Sequence, residues 1–237
     1  MYKPAKNKEI AKTEIGIDPR KVVIGYGGRV SLEKDLKTLY RAFIRITKTF
    51  DNCVLLIAGG GRPELERMFR GKENVILTMP REKIKNLDTV PFPARNLLPM
   101  NKYYSFISKR KNYTILMSSR GCTFQCTFCE QRSGDIRYRS AKNVADEMEE
   151  CYQRYGVREI DVFDPLFTIN KKRVIEVCKE IQKRNLKLIW SCRSRVDTID
   201  EEMLIEMKKA GCYRIYFGIE SGDEQILKNI KKQQPGN

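Results

Sequence analysis

Three cysteines, Cys122, Cys126 and Cys129, stand in the stretch SSRGCTFQCTFCE (residues 118–130) in a C-x-x-x-C-x-x-C pattern. Structural zinc takes four ligands in closed tetrahedral geometry, and no fourth Cys or His lies within the usual finger spacing. A cubane [4Fe–4S] cluster suits the pattern better, because closely spaced thiolates on one irregular loop can each take one iron corner. With three protein ligands, one iron stays open to an exogenous ligand, a substrate or a cofactor. Incidental thiols are the bland alternative.

The rest of the composition narrows the chemistry. The 237 residues contain no histidine, which removes His-based zinc sites, Ser-His and Cys-His nucleophiles and imidazole general bases. Cys53, Cys151, Cys178, Cys192 and Cys212 sit singly in apolar patterns and read as buried core thiols. Eight cysteines without an export signal argue against a disulfide scaffold. The N-terminal MYKPAKNKEIAKTE lacks the apolar core of a signal peptide, and no run reaches the roughly 18 apolar residues of a membrane span. A cytoplasmic location and no membrane partner are therefore expected. A net charge of +16 raises the question of nucleic acid, but the charges are spread along helices such as KKRVIEVCKEIQKR, so they read as a solvated surface and a nucleic-acid partner is not expected.

The elements that must position the cysteines fall into two parts. Residues 1–72 read as a short Rossmann-like βαβα segment. Its strands are KVVIGYGG (Lys21–Gly28) and CVLLIAGGG (Cys53–Gly61), and its first helix carries Leu36, Leu39, Tyr40, Phe43, Ile46 and Phe50 at helical spacing with Ser31 as N-cap candidate. Glycine turns between strand and helix, at Gly27–Arg29 and Gly59–Gly61, can hold phosphate or simply serve geometry. The composition changes around residues 71–80, and residues 73–112 read as a lead-in whose proline-rich LDTVPFPARNLLPM is an extended linker that cannot be helical. Residues 113–237 alternate strand and helix four times. The strands are YTILMSSR, EIDVFD, LKLIWSC and YRIYFGIE, and one helix is bounded by Asp200 as N-cap and Gly211 as stop. The fold class is α/β, a partial parallel β/α barrel of about four units behind the Rossmann-like segment.

Two resemblances add to this. The pattern C-x-x-x-C-x-aromatic-C after a first strand resembles the radical S-adenosylmethionine (SAM) superfamily. The likeness continues through NLDTVPFPARNLLP, RYRSAKNVADEMEECYQRYGVREIDVFD and WSCRSRVDTIDEEMLIEMKKAGCYRIYFGIESG, about residues 74–232, and is similar to the cobalamin-linked subfamily. It implies that Cys122, Cys126 and Cys129 ligate a [4Fe–4S] cluster, and that the amino and carboxylate groups of SAM chelate the open iron. An electron from the reduced cluster then cleaves SAM to methionine and a 5′-deoxyadenosyl radical, which acts on an unidentified substrate. An electron donor of the flavodoxin or ferredoxin type is implied as partner. Phe128 would lie beside the adenine or serve as a core aromatic. Glu220 and Arg195 would contact SAM or form a structural salt bridge at the barrel mouth. Asp164 would hold the SAM amino group, although Pro165 follows it where relatives have a glycine-rich segment. Separately, about residues 10–70 resemble the start of the donor domain of group 1 glycosyltransferases with the GT-B fold, which would map donor-diphosphate contacts to Arg29 and Lys34.

The departures shape the expectation. No histidine is present to ligate cobalt, so cobalamin is not supported by this chain. The superfamily core has six βα units where about four are read here, so unpaired strand edges would call for another chain to complete the barrel. The expected function is a radical SAM enzyme or its catalytic fragment. The alternatives are an inactive fusion fragment that holds a cluster without turnover, and a nucleotide-sugar-binding remnant.

Overall fold

A computed structural model describes residues 7–61, 63–79, 82–131 and 134–232. Residue 80, at the far end of the composition change, and the terminal QQPGN lie outside the described residues. The chain divides into two compact units, Met1–Lys83 and Ile84–Asn237.

The first unit opens with α1 (Lys8–Glu14), capped by the Asn7 side chain. Strands β1 (Val22–Gly27), β2 (Cys53–Ala58) and β3 (Val75–Leu77) form a parallel sheet in the order β1-β2-β3. Helices α2 (Leu36–Thr47) and α3 (Pro63–Phe69) contribute Leu36, Phe43, Leu65 and Phe69 to its core. The apolar stripe of α2 is narrower than its spacing suggests, since Ile46 and Phe50 are exposed. The cap is also different. Ser31 precedes a short 3-10 turn without capping it through its side chain, and Asp35, at φ 41°, receives the Thr38 N–H at the true helix start.

The glycine turns of this unit have a steric purpose. A Cβ at Gly59 would sit 1.9 Å from the Gly28 carbonyl oxygen, and one at Gly61 would sit 1.9 Å from the Val30 carbonyl oxygen. The two strand-end loops therefore lie backbone against backbone, joined by Gly28 N–H to Ala58 O and Val30 N–H to Gly60 O. Gly59→Ala is expected to destabilise this unit by about 1–3 kcal/mol or more through overpacking, with a left-handed penalty added at φ 148°. Urea unfolding followed by circular dichroism checks it; an unchanged midpoint would show that the loops can part.

The second unit is built on a parallel sheet of β4 (Tyr113–Leu116), β7 (Glu159–Val162), β8 (Ile189–Ser194) and β9 (Cys212–Phe217), in the order β4-β7-β8-β9. Between β4 and β7 lies an antiparallel hairpin of β5 (Ser119–Gly121) and β6 (Ile136–Tyr138), which encloses the cysteine loop. Helices α4 (Ala141–Arg154), α5 (Lys171–Lys183) and α6 (Glu201–Lys209) follow the successive strands, and α7 (Glu224–Asn229) follows β9. One face of the sheet packs Leu116, Ile160, Val162, Trp190 and Cys192 against Val144, Met148, Val174, Val177, Cys178, Ile181, Met203 and Met207. Each large apolar side chain buried this fully is worth about 1.5–3 kcal/mol.

The opposite face is mixed: Asp161 and Ser191 are buried on it, and Ile115 and Phe163 are half exposed. Asp161 accepts hydrogen bonds from Ser191 Oγ at 2.9 Å and from both terminal nitrogens of Arg193 at 2.8 and 2.9 Å. The Arg193 guanidinium lies 3.7 Å from the Phe163 ring centroid. Glu159 accepts from the Lys109 and Arg110 N–H groups at 2.7 and 2.8 Å and from the Tyr213 hydroxyl at 2.5 Å, and these partners together let β7 be buried at all four positions despite two carboxylates. The sheet does not close into a barrel among the described residues, and β9 pairs only with β8 there.

The proline-rich stretch differs from its expected character as a linker. It forms three 3-10 turns, Leu87–Thr89, Arg95–Leu97 and Met100–Lys102, and belongs to the second unit. Proline forbids a long helix but not single turns. Leu87 is buried, and so is Arg95, which pairs with Glu147 of α4 at 2.6 Å.

Candidate functional site

Strands run the same way in a parallel sheet, so the segments leaving their carboxyl ends meet along one edge. Here that edge gathers Ser118 and Ser119 after β4, Asp164 after β7, Arg195 after β8 and Gly218–Glu220 after β9. The cysteine loop, held between β5 and β6, belongs to the same edge.

The base of the loop is clamped. Asp164 is buried, and its Oδ1 accepts from the N–H groups of Ser118 at 2.6 Å and Ser119 at 3.0 Å, while Oδ2 accepts from Ser118 Oγ at 2.5 Å. Arg173 of α5 donates from Nη2 to the Ser118 carbonyl at 2.9 Å and to Ser118 Oγ at 2.7 Å, with its guanidinium 4.9 Å from the Tyr138 ring centroid. Asp164 thus positions the entry to the cysteine loop. The SAM-amino contact expected of it meets a carboxylate already receiving three hydrogen bonds.

Within the loop, Cys122 and Cys126 are buried and Cys129 is half-buried. The Cys129 N–H donates to Cys126 O and the Gly134 N–H to Cys122 O, folding the loop back on itself. Burial pushes the Cys122 thiol above its ordinary range, and the neighbouring Cys129 and Cys126 sulfurs push the same way. The three sulfurs are therefore electrostatic neighbours. Even so, among the described residues no three Cys, His, Asp or Glu side chains converge as they would on one metal ion. The donor chemistry, three thiols on one loop in a chain without histidine, fits a cluster, which offers each thiolate its own iron.

Two cations flank the loop. Arg195 is buried, lies 4.0 Å from the Phe124 ring centroid, and makes a two-pronged pair with Asp197 at 2.8 and 2.6 Å. That pair raises the Arg195 pKa, with the Cys126 and Cys122 sulfurs adding to it, and the Arg195 hydrogen bond holds Asp197 below the usual carboxylate range. Arg195, expected to contact SAM or to form a structural salt bridge, turns a guanidinium edge to Asp197 and a face to the Phe124 ring of the loop. The other cation is Lys232, which the sequence reading missed. Its Nζ lies 2.5 Å from Glu220 Oε1 and 5.7 Å from the Phe128 ring centroid. Phe128 is half exposed, so it is not a core aromatic. Sequence separation hid Lys232, which stands 103 positions beyond Cys129.

Arg29 and Lys34 belong to the first unit. Arg29 pairs with Glu33 at 3.2 Å, and Lys34 is exposed in the 3-10 turn. The N–H groups of Gly28, Val30, Gly59 and Gly61 are donated to Ala58 O, Gly60 O, Thr78 Oγ1 and Glu66 Oε1, so these turns do not offer those groups to a phosphate. A cavity of about 220 Å³ lies between the lead-in and the β4 edge, walled by Phe92, Ile115, Met117 and Ser119 among others and by none of the three cysteines.

An incomplete parallel β/α sheet with a three-cysteine loop at its carboxyl edge defines a class of iron–sulfur protein fold. A family model described as the radical SAM superfamily matches residues 116–236, and the chain belongs to that superfamily. The superfamily carries a [4Fe–4S] cluster and SAM as cofactors. The chain is 39% identical over 156 residues to an uncharacterized methyltransferase of Pyrococcus horikoshii, covering 65% of this chain and 33% of that protein. It is 33% identical over 163 residues to an anaerobic magnesium-protoporphyrin IX monomethyl ester cyclase of Rubrivivax gelatinosus, covering 67% of this chain and 29% of that one. The chain thus spans about a third of the length of the curated relatives it matches. Among solved structures, the apo form of OxsB, a cobalamin-dependent SAM radical enzyme, superposes with a TM-score of 0.56 at 18% identity over 95% of this chain and 39% of that one. At that identity the likeness is one of fold. Among the described residues, no helix is long and apolar enough to cross a membrane.

Proposed function

We propose that this chain is the cluster-bearing core of a radical SAM enzyme, with Cys122, Cys126 and Cys129 as the protein ligands of a [4Fe–4S] cluster whose fourth iron takes SAM. The supporting observation is the neighbouring of three thiols on one clamped loop at the carboxyl edge of the sheet. When bound, the cluster supplies the electron that cleaves SAM to methionine and a 5′-deoxyadenosyl radical.

The residues of the chain divide the supporting work. Asp164 and Arg173 hold the loop entry in one geometry. Burial of Cys122 and Cys126 limits water at two of the three ligands. Arg195 and Lys232 place positive charge beside a site that becomes anionic once its thiols ionise. The half-exposed Phe128 offers a ring face for the adenine, and Glu220 offers a carboxylate at the same rim. The curated relatives include proteins named a methyltransferase and a cyclase, so the reading is of SAM cleavage and not of one downstream reaction. The reductant is of the flavodoxin or ferredoxin type. Cobalamin stays outside the reading, because the chain has no imidazole to offer cobalt. Half-exposed Ile115, Phe163 and Phe217 on the sheet, with the outer edge of β9, support a further segment or chain that continues the barrel.

Anaerobic reconstitution with iron and sulfide, reduction by dithionite, and EPR with and without SAM tests the proposal. A cluster signal that changes shape on adding SAM is the expected result. A signal indifferent to SAM would reduce the chain to a cluster carrier, and absence of any cluster would sink the reading.

A further inference from the structure

Lys232 stands where four unrelated features of the chain converge. It is buried, with 6% of its surface exposed, and a buried ammonium must be paired to be tolerated. Its partner, Glu220, sits at φ 66°, a left-handed conformation that costs a non-glycine residue about 1 kcal/mol and needs a restraint. Gly218 makes room for the pair, since a Cβ there would lie 2.6 Å from Lys232 Nζ. Lys231, at φ 52°, turns the chain after α7 so that the Lys232 N–H reaches Leu227 O and the ammonium points back at the rim. Immediately before it, the Ile230 carbonyl accepts the Thr127 N–H at 2.9 Å, and Thr127 lies between two of the three cysteines. The ammonium also faces the Phe128 ring, and Asp197 feels its charge.

We propose that Lys232 is the positioning residue that locks Glu220 and the Thr127–Phe128 segment of the cysteine loop into one unit, so that the cluster loop and the rim carboxylate are held together before any cofactor binds. In its cofactor aspect this rests on the reading of the cysteines as cluster ligands. The ammonium links Glu220 to the loop's aromatic, and the Ile230 carbonyl ties the loop backbone to the same turn. Glu220 is in a strained conformation and Phe128 is half exposed, so each gains order from this contact.

Hydrogen exchange of the full-length apo protein tests the restraint without any cofactor. Lys232→Met is expected to speed exchange of peptides spanning residues 122–131 by about tenfold, with the β7 peptides unchanged, while Lys232→Arg stays near the wild-type rate. Glu220→Gln leaves the Lys232 ammonium buried and unpaired and is expected to speed loop exchange as well. The double variant Glu220→Gln with Lys232→Met recovers part of the protection lost in Glu220→Gln, because removing both partners costs less than leaving the buried charge alone. After reconstitution, Lys232→Met retains wild-type iron content but binds SAM about tenfold more weakly, read from the SAM-dependent EPR change. Unchanged loop exchange in Lys232→Met would overturn the proposal. If that variant exchanges faster everywhere, the double variant compared with Glu220→Gln decides: recovery supports the pair, and no recovery overturns it. A wild-type chain that takes up no iron would sink the cluster reading while leaving the exchange comparison to judge Lys232.

Discussion

Cys126→Ala is expected to take up no stable cluster, and Cys122→Ala and Cys129→Ala to behave alike, whereas Cys178→Ala loads iron as the wild type does. The asymmetry follows from where the sulfurs sit. Cys178 lies at 0% exposure among α5, α6 and the sheet, and burial pushes its thiol up to about 12. Cys151 is pushed up to about 12 by the same cause. Such groups stay protonated and packed, and losing one sulfur costs about 1 kcal/mol of core contact. Cys178, Cys192 and Cys212 are also neighbours of one another, but inside the core. The loop cysteines differ because they stand on one loop at the carboxyl edge of the sheet, with Arg195 beside Cys122 and Cys126. Burial raises the Cys122 thiol too, so its ionisation must be driven by metal binding, which releases the proton. With two thiolates left and no histidine anywhere in the chain, nothing of comparable ligand strength replaces a lost cysteine. Glu130 is adjacent, but a carboxylate is a harder and weaker ligand for iron–sulfur chemistry. Iron and acid-labile sulfide per chain, with EPR after reduction, measure the outcome. Wild-type loading in Cys126→Ala would mean that the loop is not the ligand set.

Local signals in the sequence were readable where one residue type has one physical use. The cysteine spacing marked the loop. Asp200 caps α6 by accepting the Met203 N–H at 2.9 Å, and Gly211 stops it at φ 90°. The inward stripe of α5, Val174, Val177, Cys178 and Ile181, is buried throughout. What the sequence concealed is long-range or very short. Strands β3, β5 and β6 have three residues each, too few for a period of two to register. The strand expected over Tyr113–Arg120 therefore splits at Met117 into a sheet strand and a hairpin strand, because Asp164, 46 positions from Ser118, captures the Ser118 and Ser119 N–H groups. Glu220, expected at the end of the fourth strand, lies three residues beyond the end of β9 at Phe217. The glycine turns of the first unit carried two meanings, phosphate or geometry, and only the distance to the opposing carbonyls shows close packing. Lys232 carried no signal at all, since a lysine in KNIKK reads as a solvated helix end.

Glu147→Ala is expected to destabilise the second unit by about 3–5 kcal/mol, a large part of the roughly 5–15 kcal/mol that holds a typical domain together. Glu147 lies on the buried face of α4 at 1% exposure. Its Oε1 takes Arg95 Nη2 at 2.6 Å, and its Oε2 takes Arg139 Nη1. Arg95 comes from the proline-rich lead-in and also donates to Ile115 O of β4 at 3.0 Å. Arg139 follows β6 and donates to Met117 O at 3.0 Å and to Asn143 O at 3.1 Å. One carboxylate therefore joins the lead-in, the sheet edge, the hairpin exit and α4. Its removal strands two guanidiniums, with 4% and 10% of their side-chain surface exposed, without a counter-charge. Composition could not announce this, because a proline-rich stretch reads as an independent linker until its arginine is seen inside the core. Trp190, the single tryptophan of the chain, is fully buried in this unit, so urea unfolding followed by its fluorescence reports on the second unit alone. The double variant Arg95→Met with Glu147→Leu should lie closer to wild type than Glu147→Ala, since it removes a charge of each sign and leaves Arg139 its carbonyl and Asn143 partners. Equal midpoints for Glu147→Ala and wild type would show that the lead-in is not anchored by this carboxylate, and its packing would then rest on Leu87 and its neighbours alone.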